Sequence, residues 1–362
     1  LSHSEEIFRL MDEGKIDYIV YTGKTDMESI NDYIRMYHHA ILLGITTLTS
    51  LDTANALADI IASRFNENNT ELVDINHLRT DKLKLNFIKM QSCGNDYIFF
   101  DNMDGKITCP ESLAINFVDR HYGIGGDGIT LIEKSDVADA KMRIFNKDGS
   151  EGAMAGNSIR CVAKYLFDNG LVKDKNITIE TLSGVKELQL YTFNGKVSSV
   201  SVDMGKAVLD GKSIPSTLEG ETVVGRKISI GGQDYTVTLV NVGNPHCVVF
   251  CDKVDAVDVA NVGPMFEYAE YFPQRINAEF VRVVNDKTLK MRVWERGNGE
   301  TLACGTGAAA SVVAAVLNGY CKQDEDITVK VRGGDLIVRY SSDGSVRLTG
   351  SVKQVFEGTV EY

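Results

Sequence analysis

Lys141-Met-Arg-Ile-Phe145 and Lys290-Met-Arg-Val-Trp294 are one strand written twice. The first leads through Glu151 to Ala155-Gly-Asn157 and an apolar run closing at Asn169-Gly170; the second leads through Glu300 to Cys304-Gly-Thr306 and a run closing at Asn318-Gly319. All of these pairs share one offset, 149 residues (155 and 304, 170 and 319). Much earlier in each copy, Gly94-Asn95 and Gly243-Asn244 fall in the same register, each followed by an apolar strand. Separate stretches in a single register mark a duplication. The chain from about residue 84 is therefore expected to be two copies of one fold, facing each other across a cleft with pseudo-two-fold symmetry, and ligands favour such interfaces.

Working outward, everything after Leu83 has short strands divided by Gly, Asn and Asp turns and interrupted by two conspicuous helical segments, an α+β texture. Residues 1–80 differ. Strand-like runs at 16–21 and 44–48 alternate there with helical patterns at 29–43 and 53–65, the signature of an α/β unit. A polar stretch at 66–70 follows, and a domain boundary is expected near Asp81.

Composition narrows the function classes. The 362 residues carry a net charge of −12, with both signs interspersed and no long basic run, so nucleic acid is not expected as a partner. The longest nearly apolar stretch, 308–317, falls far short of the roughly 20 residues that cross a bilayer and reads as a buried helix; no membrane partner is expected. Glu5, Glu6, Asp12 and Glu13 leave no room for a secretory core near the first residue. Seven cysteines without a CxxC pair suit a reducing, cytoplasmic compartment, and neither a disulfide framework nor a metal site is expected from them.

In each copy a Gly-containing turn runs straight into a helix, whose first N–H groups lack intrahelical partners and attract anions. Cys304 precedes the second such helix. There the N–H groups and the dipole should stabilise a thiolate, moving its pKa from about 8.5 to between roughly 3.5 and 7.5, which makes Cys304 a candidate base. If both helix starts hold one carboxylate, a sulfur on either side of the adjacent carbon could invert it, one removing a proton and the other returning one. N–H donors would meet the developing enediolate charge, so pyridoxal phosphate or another cofactor is not required. A lone cysteine at a helix start is more often packing, and glycines there are often only turn formers. It is the setting of Cys304 in Glu300-Thr-Leu-Ala-Cys-Gly-Thr-Gly307, together with the duplication, that favours chemistry.

Over residues 86–362 the chain resembles diaminopimelate epimerases. The resemblance is carried by Ser92-Cys-Gly-Asn-Asp-Tyr97, Arg120-His-Tyr-Gly-Ile-Gly125, Phe145-Asn-Lys-Asp-Gly-Ser-Glu151, Ala155-Gly-Asn-Ser-Ile-Arg-Cys161, Gly243-Asn-Pro-His246, Glu295-Arg-Gly297 and Ala303-Cys-Gly-Thr-Gly307. Such enzymes interconvert the LL and meso forms of diaminopimelate, a precursor of lysine and of bacterial cell wall. The resemblance implies two strand-rich, barrel-like domains, each around a central helix, at 84–202 (with a C-terminal strand 350–362) and 203–349. It implies no cofactor, a small-molecule amino-acid substrate, and a homodimer.

By the same resemblance the two acid/base thiols would stand at Cys304 and at position 155, which here is Ala155. Gly156, Asn157, Gly305 and Thr306 would hold the reacting carboxylate and Glu295 the reacting ammonium. Asn95, Asn146, Asn244, Asn277 and Arg296 would read the distal amino-acid end. Some members carry Gln where this chain has Gly128, which implies one polar contact fewer to the ligand, and His246 reads as a structural histidine. A methyl group neither takes nor gives a proton, so the inversion is expected to be impaired, and Cys161, further along the helix, should face away from the cleft. Two alternatives stand beside this: a cofactor-independent racemase of another amino acid such as histidine, and a non-catalytic ligand-binding homologue. Residues 1–80 resemble part of the methylglyoxal-synthase-like domain of carbamoyl-phosphate synthetase large subunits, through Gly14-Lys-Ile-Asp-Tyr-Ile-Val20 and Leu48-Thr-Ser-Leu-Asp-Thr-Ala54. Docking or pairing between chains is as good an expectation for this partial unit as an effector site.

Overall fold

The computed structural model describes residues 5–21, 27–48, 53–55, 57–58, 83–211 and 213–362. The chain divides into two compact units, Leu1–Asp81 and Lys82–Tyr362. In the first, α1 (Glu5–Asp12), β1 (Tyr18–Val20), α2 (Met27–Leu43) and β2 (Thr46–Leu48) follow in order. β1 and β2 pair in parallel from Tyr18↔Thr46 to Val20↔Leu48, with α2 as the crossover that parallel strands require. Met11, Met36 and Ala40 form its small core. The expected helix at 53–65 is described only at 53–55 and 57–58, where it is helical; the polar stretch 66–70 and most of the 48–54 motif lie outside the described residues.

The second unit holds the duplication. Its first copy runs β3 (Lys84–Ser92), β4 (Asn95–Asp101), α3 (Pro110–Phe117), β5 (Gly128–Glu133), β6 (Ala140–Asn146), β7 (Glu151–Gly152), α4 (Gly156–Asp168), β8 (Asn176–Thr181), β9 (Gly184–Phe193) and β10 (Lys196–Lys206). The second runs β11 (Arg226–Ile230), β12 (Gln233–Asn241), β13 (Pro245–Phe250), α5 (Val259–Glu267), β14 (Asn277–Asn285), β15 (Thr288–Glu295), β16 (Gly299–Glu300), α6 (Gly305–Leu317), β17 (Asp326–Val331), β18 (Gly334–Tyr340) and β19 (Ser345–Ser351), before β20 (Lys353–Glu361) ends the chain. β20 lies antiparallel to β3 as β11 lies antiparallel to β12, so the last strand completes the first copy. β10 pairs antiparallel with β19 and joins the copies into one continuous sheet. α3 and α5, matching elements of eight and nine residues, were not expected from the sequence. Both are short, and α5 carries Pro264 inside it, which hides a helical pattern.

α4 and α6 are the central helices, and each is wrapped by the strands of its own copy. Ala308, Ala309, Ala310, Val312, Val313, Ala314 and Ala315 of α6 are fully buried, the mark of a helix apolar on all sides. Each helix stops at a left-handed glycine, Gly170 (φ +72°) and Gly319 (φ +78°), where a side chain would be strained. Cys161 packs inside the α4 core, away from the helix start, and burial pushes its thiol up to about 12.

Candidate active site

The starts of α4 and α6 meet at one place. Built on the backbone, a Cβ at Gly156 and one at Gly305 would lie 4.0 and 2.9 Å from the same atom, Cδ2 of Leu348. The residues before them are geometric twins: Ala155 caps α4 at φ −132°, ψ 116°, and Cys304 caps α6 at φ −114°, ψ 115°. Both line one cleft of about 870 Å³, together with Gly156, Asn157, Gly305 and Thr306. Helix-start N–H groups from both copies thus converge on one space, the arrangement that holds a carboxylate.

Cys304 is the one sulfur at these two caps, and its Sγ accepts a hydrogen bond from the Gly307 N–H at 3.3 Å and lies 3.4 Å from Thr306 Oγ1. Its charge state is the reverse of the sequence expectation. Burial pushes the thiol well above its ordinary 9.0, and the carboxylates of Glu295 and Glu279 push it further; the bonds from Thr306 and Gly307 act in the opposite sense and are outweighed. A helix start alone would favour the thiolate, but here burial and two carboxylates, Glu295 in the cleft and Glu279 behind its wall, outweigh it. Cys304 is therefore held as a thiol, a proton donor. Glu295 accepts a hydrogen bond from Thr301 Oγ1. Its own pKa is raised by burial, with Thr301, His246 and a hydrogen bond to Cys304 opposing.

The copies furnish this cleft unequally. The counterpart of Glu295 is Asn146, which donates to Ser150 Oγ at 3.0 Å, so carboxylate faces amide across the pseudo-axis. Asn95 and its counterpart Asn244 both line the cleft. Asn95 donates to Asp127 at 2.6 Å and accepts from Asn157 at 3.1 Å. Asn244 Oδ1 stands 2.9 Å from Nε2 of His246, whose Nδ1 stands 2.7 Å from Glu279 Oε1. His246 and Glu279 are fully buried behind the wall.

Two of the expected binders, Asn277 and Arg296, are bonded within the protein beside the cleft. Asn277 is buried, donates to Pro245 O at 2.7 Å and accepts from the Arg296 backbone N–H at 2.9 Å; the Arg296 guanidinium donates to Gln274 O at 3.1 Å. They secure the loop to which Glu295 leads and are not among the lining residues. Gly128 brings no polar side chain to the ligand, and its surroundings leave no room for one. A Cβ there would stand 2.5 Å from Phe145 O and 2.7 Å from the Tyr97 ring, so the backbone is packed too closely for a glutamine contact to the ligand. Thr301 and Asp127, by contrast, were missed. They touch Glu295 and Asn95; Thr301 stands inside the quoted stretch 300–307 and Asp127 two residues beyond the quoted 120–125, and position was their only signal. Among the described residues no group of three His, Cys, Asp or Glu side chains could hold a metal ion, and no helix is long and apolar enough to cross a membrane.

The sequence profile described as Diaminopimelate epimerase matches residues 87–209 and 238–355. A diaminopimelate epimerase of Methanococcus maripaludis strain C5 is 46% identical over 278 residues, covering 76% of this chain and 100% of the relative. One from Acetivibrio thermocellus is 47% identical over 278 residues, covering 76% of this chain and 99% of its own. Among solved structures, a hydroxyproline epimerase from Agrobacterium vitis with bound trans-4-OH-L-proline superposes with a TM-score of 0.56 at 14% identity, over 77% of this chain and 92% of that one. At that identity the likeness is one of fold.

Proposed function

The chain belongs to the diaminopimelate epimerase family, a family of isomerases, and from that premise we propose that it binds diaminopimelate in the cleft between its two copies and that its two-thiol inversion is impaired at Ala155. The reacting carboxylate is taken by the N–H groups at Gly156, Asn157, Gly305 and Thr306, and the reacting ammonium by Glu295. The sulfur of Cys304 stands on one face of the α-carbon. In the full reaction one sulfur removes the α-proton, the electron pair passes into the carboxylate as an enediolate held by those N–H donors, and the opposite thiol returns a proton to the other face. With a methyl at 155, one of those transfers has no group to perform it. The observation that carries this proposal is the pair of identical helix caps, Ala155 and Cys304, lining one cleft.

The test is Ala155→Cys, followed by chiral chromatography of LL- and meso-diaminopimelate. The expected gain is about 10²- to 10⁴-fold in the rate of interconversion, the usual worth of a positioned acid or base; an unchanged rate would count against the two-thiol scheme. Asn277 and Arg296 support a second reading. Asn277 spends its amide on Pro245 O and on the Arg296 backbone N–H, and the Arg296 guanidinium donates to Gln274 O, which leaves the distal end less well read, as suits a single amino acid such as histidine. Calorimetric titration of the chain with the diaminopimelate isomers and with histidine separates the two readings, and a non-catalytic binder would bind but stay inactive after Ala155→Cys. For residues 1–80 we propose a partial methylglyoxal-synthase-like unit, supported by the parallel β1–α2–β2 arrangement and able to pair between chains. Size-exclusion chromatography with and without that segment tests both this pairing and the proposed homodimer.

A further inference from the structure

Among the described residues Arg160 is the largest fully buried side chain, and its hydrogen bonds go to no carboxylate. Its Nε and Nη2 donate to Ser92 Oγ at 3.2 and 2.8 Å, Nη2 also donates to Asn157 Oδ1, and Nη1 has no hydrogen-bond partner. Arginine keeps its proton, so a full positive charge lies one turn behind the start of α4. Its counterpart in the second copy is Ala309. A cation without a counter-ion in a core needs a reason, since buried charges are ordinarily paired.

The bonds that leave Arg160 supply one. A guanidinium only donates, so Asn157 must turn its carbonyl toward it; the Asn157 amide nitrogen then donates to Asn95 Oδ1 at 3.1 Å. Asn95 in turn donates from nitrogen to Asp127 Oδ2 at 2.6 Å, and a carboxylate only accepts. With a pure donor at one end and a pure acceptor at the other, both amides can run in one direction only. Both amides belong to residues that line the cleft, and the Asn157 amide spends one of its two N–H groups on Asn95. The first wall's own carboxylate, Asp127, is spent on Asn95 and Arg120, whereas the opposite wall presents Glu295, with Glu279 behind His246 and Asn244.

We infer that Arg160 is a positioning residue which, acting through Asn157 and Asn95, fixes the first copy's wall as the hydrogen-bond donor surface that receives a ligand carboxylate. This rests on the proposal above that the ligand is an amino acid of the diaminopimelate type. The test is calorimetric titration with meso-diaminopimelate and with its diamide, which offers no carboxylate, on the chain and on Arg160→Met, Arg160→Lys and Asn157→Asp. Side-chain amide exchange of Asn95 and Asn157 is followed by NMR in the ligand-free proteins. Arg160→Met and Asn157→Asp should each weaken meso-diaminopimelate at least tenfold and change the diamide less than twofold, with Arg160→Lys between parent and Met. Amide exchange at Asn157 and Asn95 should quicken in Arg160→Met. Equal losses for both ligands, or unchanged affinity and exchange in folded Arg160→Met, would overturn the assignment. If that variant does not fold, Asn157→Asp decides, because it gives the guanidinium a carboxylate and still breaks the relay; unchanged affinity there is equally fatal. If the parent chain binds no diaminopimelate isomer, the functional proposal is what has failed, and the ligand-free exchange rates still decide the role of Arg160.

Discussion

At Cys304 a helix start and two carboxylates act on one sulfur in opposite senses. The Gly-Thr-Gly run after it located a helix start and a cleft-facing sulfur, and the structure has both. Its protonation was not legible, because Glu279 reaches it from β14 and Glu295 from the end of β15, and no local pattern announces two carboxylates converging on a thiol. The consequence is measurable by mass spectrometry of the Cys304 peptide after timed alkylation. Labelling should stay slow through neutral pH and rise only above pH 9, and Glu279→Gln should move that rise to lower pH, since removing a negative neighbour favours the thiolate. A rise centred near pH 7 in the parent chain would contradict the buried thiol. Ala155 was fully legible as a departure, since the duplication itself supplies the residue it replaces.

Elements were legible where they were long and periodic. α4 and α6 follow from a Gly-containing start, an apolar run and a left-handed glycine stop, all visible in the sequence. Shorter pieces such as α3 and α5 carried too few turns to show a period. Close backbone approaches left no trace either, and Gly128 is the instructive case: the resemblance implies only a missing polar contact there, whereas the crowding at the start of β5 shows why the position holds a glycine. Gly128→Gln is expected to destabilise the second unit by about 1–3 kcal/mol through overpacking against Phe145 and Tyr97. That is a fall of several degrees in a thermal melt, and a melt unchanged or raised would show that the site has room for the side chain.

At the scale of the whole molecule, the duplication was read from an offset alone, while the pairings that unite the copies depend on contacts no offset reveals. The buried thiols set a limit on stability. Cys161 is raised from 9.0 to about 12, and Cys247 and Cys304 are raised well above 9.0, chiefly by burial. An acid whose folded pKa is raised keeps its proton in the native state while the unfolded chain has already released it. Stability should therefore be intact below about pH 9 and fall as pH climbs from 9 toward 12. Urea midpoints measured across that window check this, and a midpoint that held steady would mean the thiols ionise in place. The strand order carries a different consequence, for the chain's birth. Because β20 closes the sheet of the first copy, that copy stays one strand short until residues 353–361 have been made, whereas the second copy has all its own strands by residue 351. Translation order and assembly order are thus reversed, and the older half must wait, its β3 edge unpaired, for the younger half to be made.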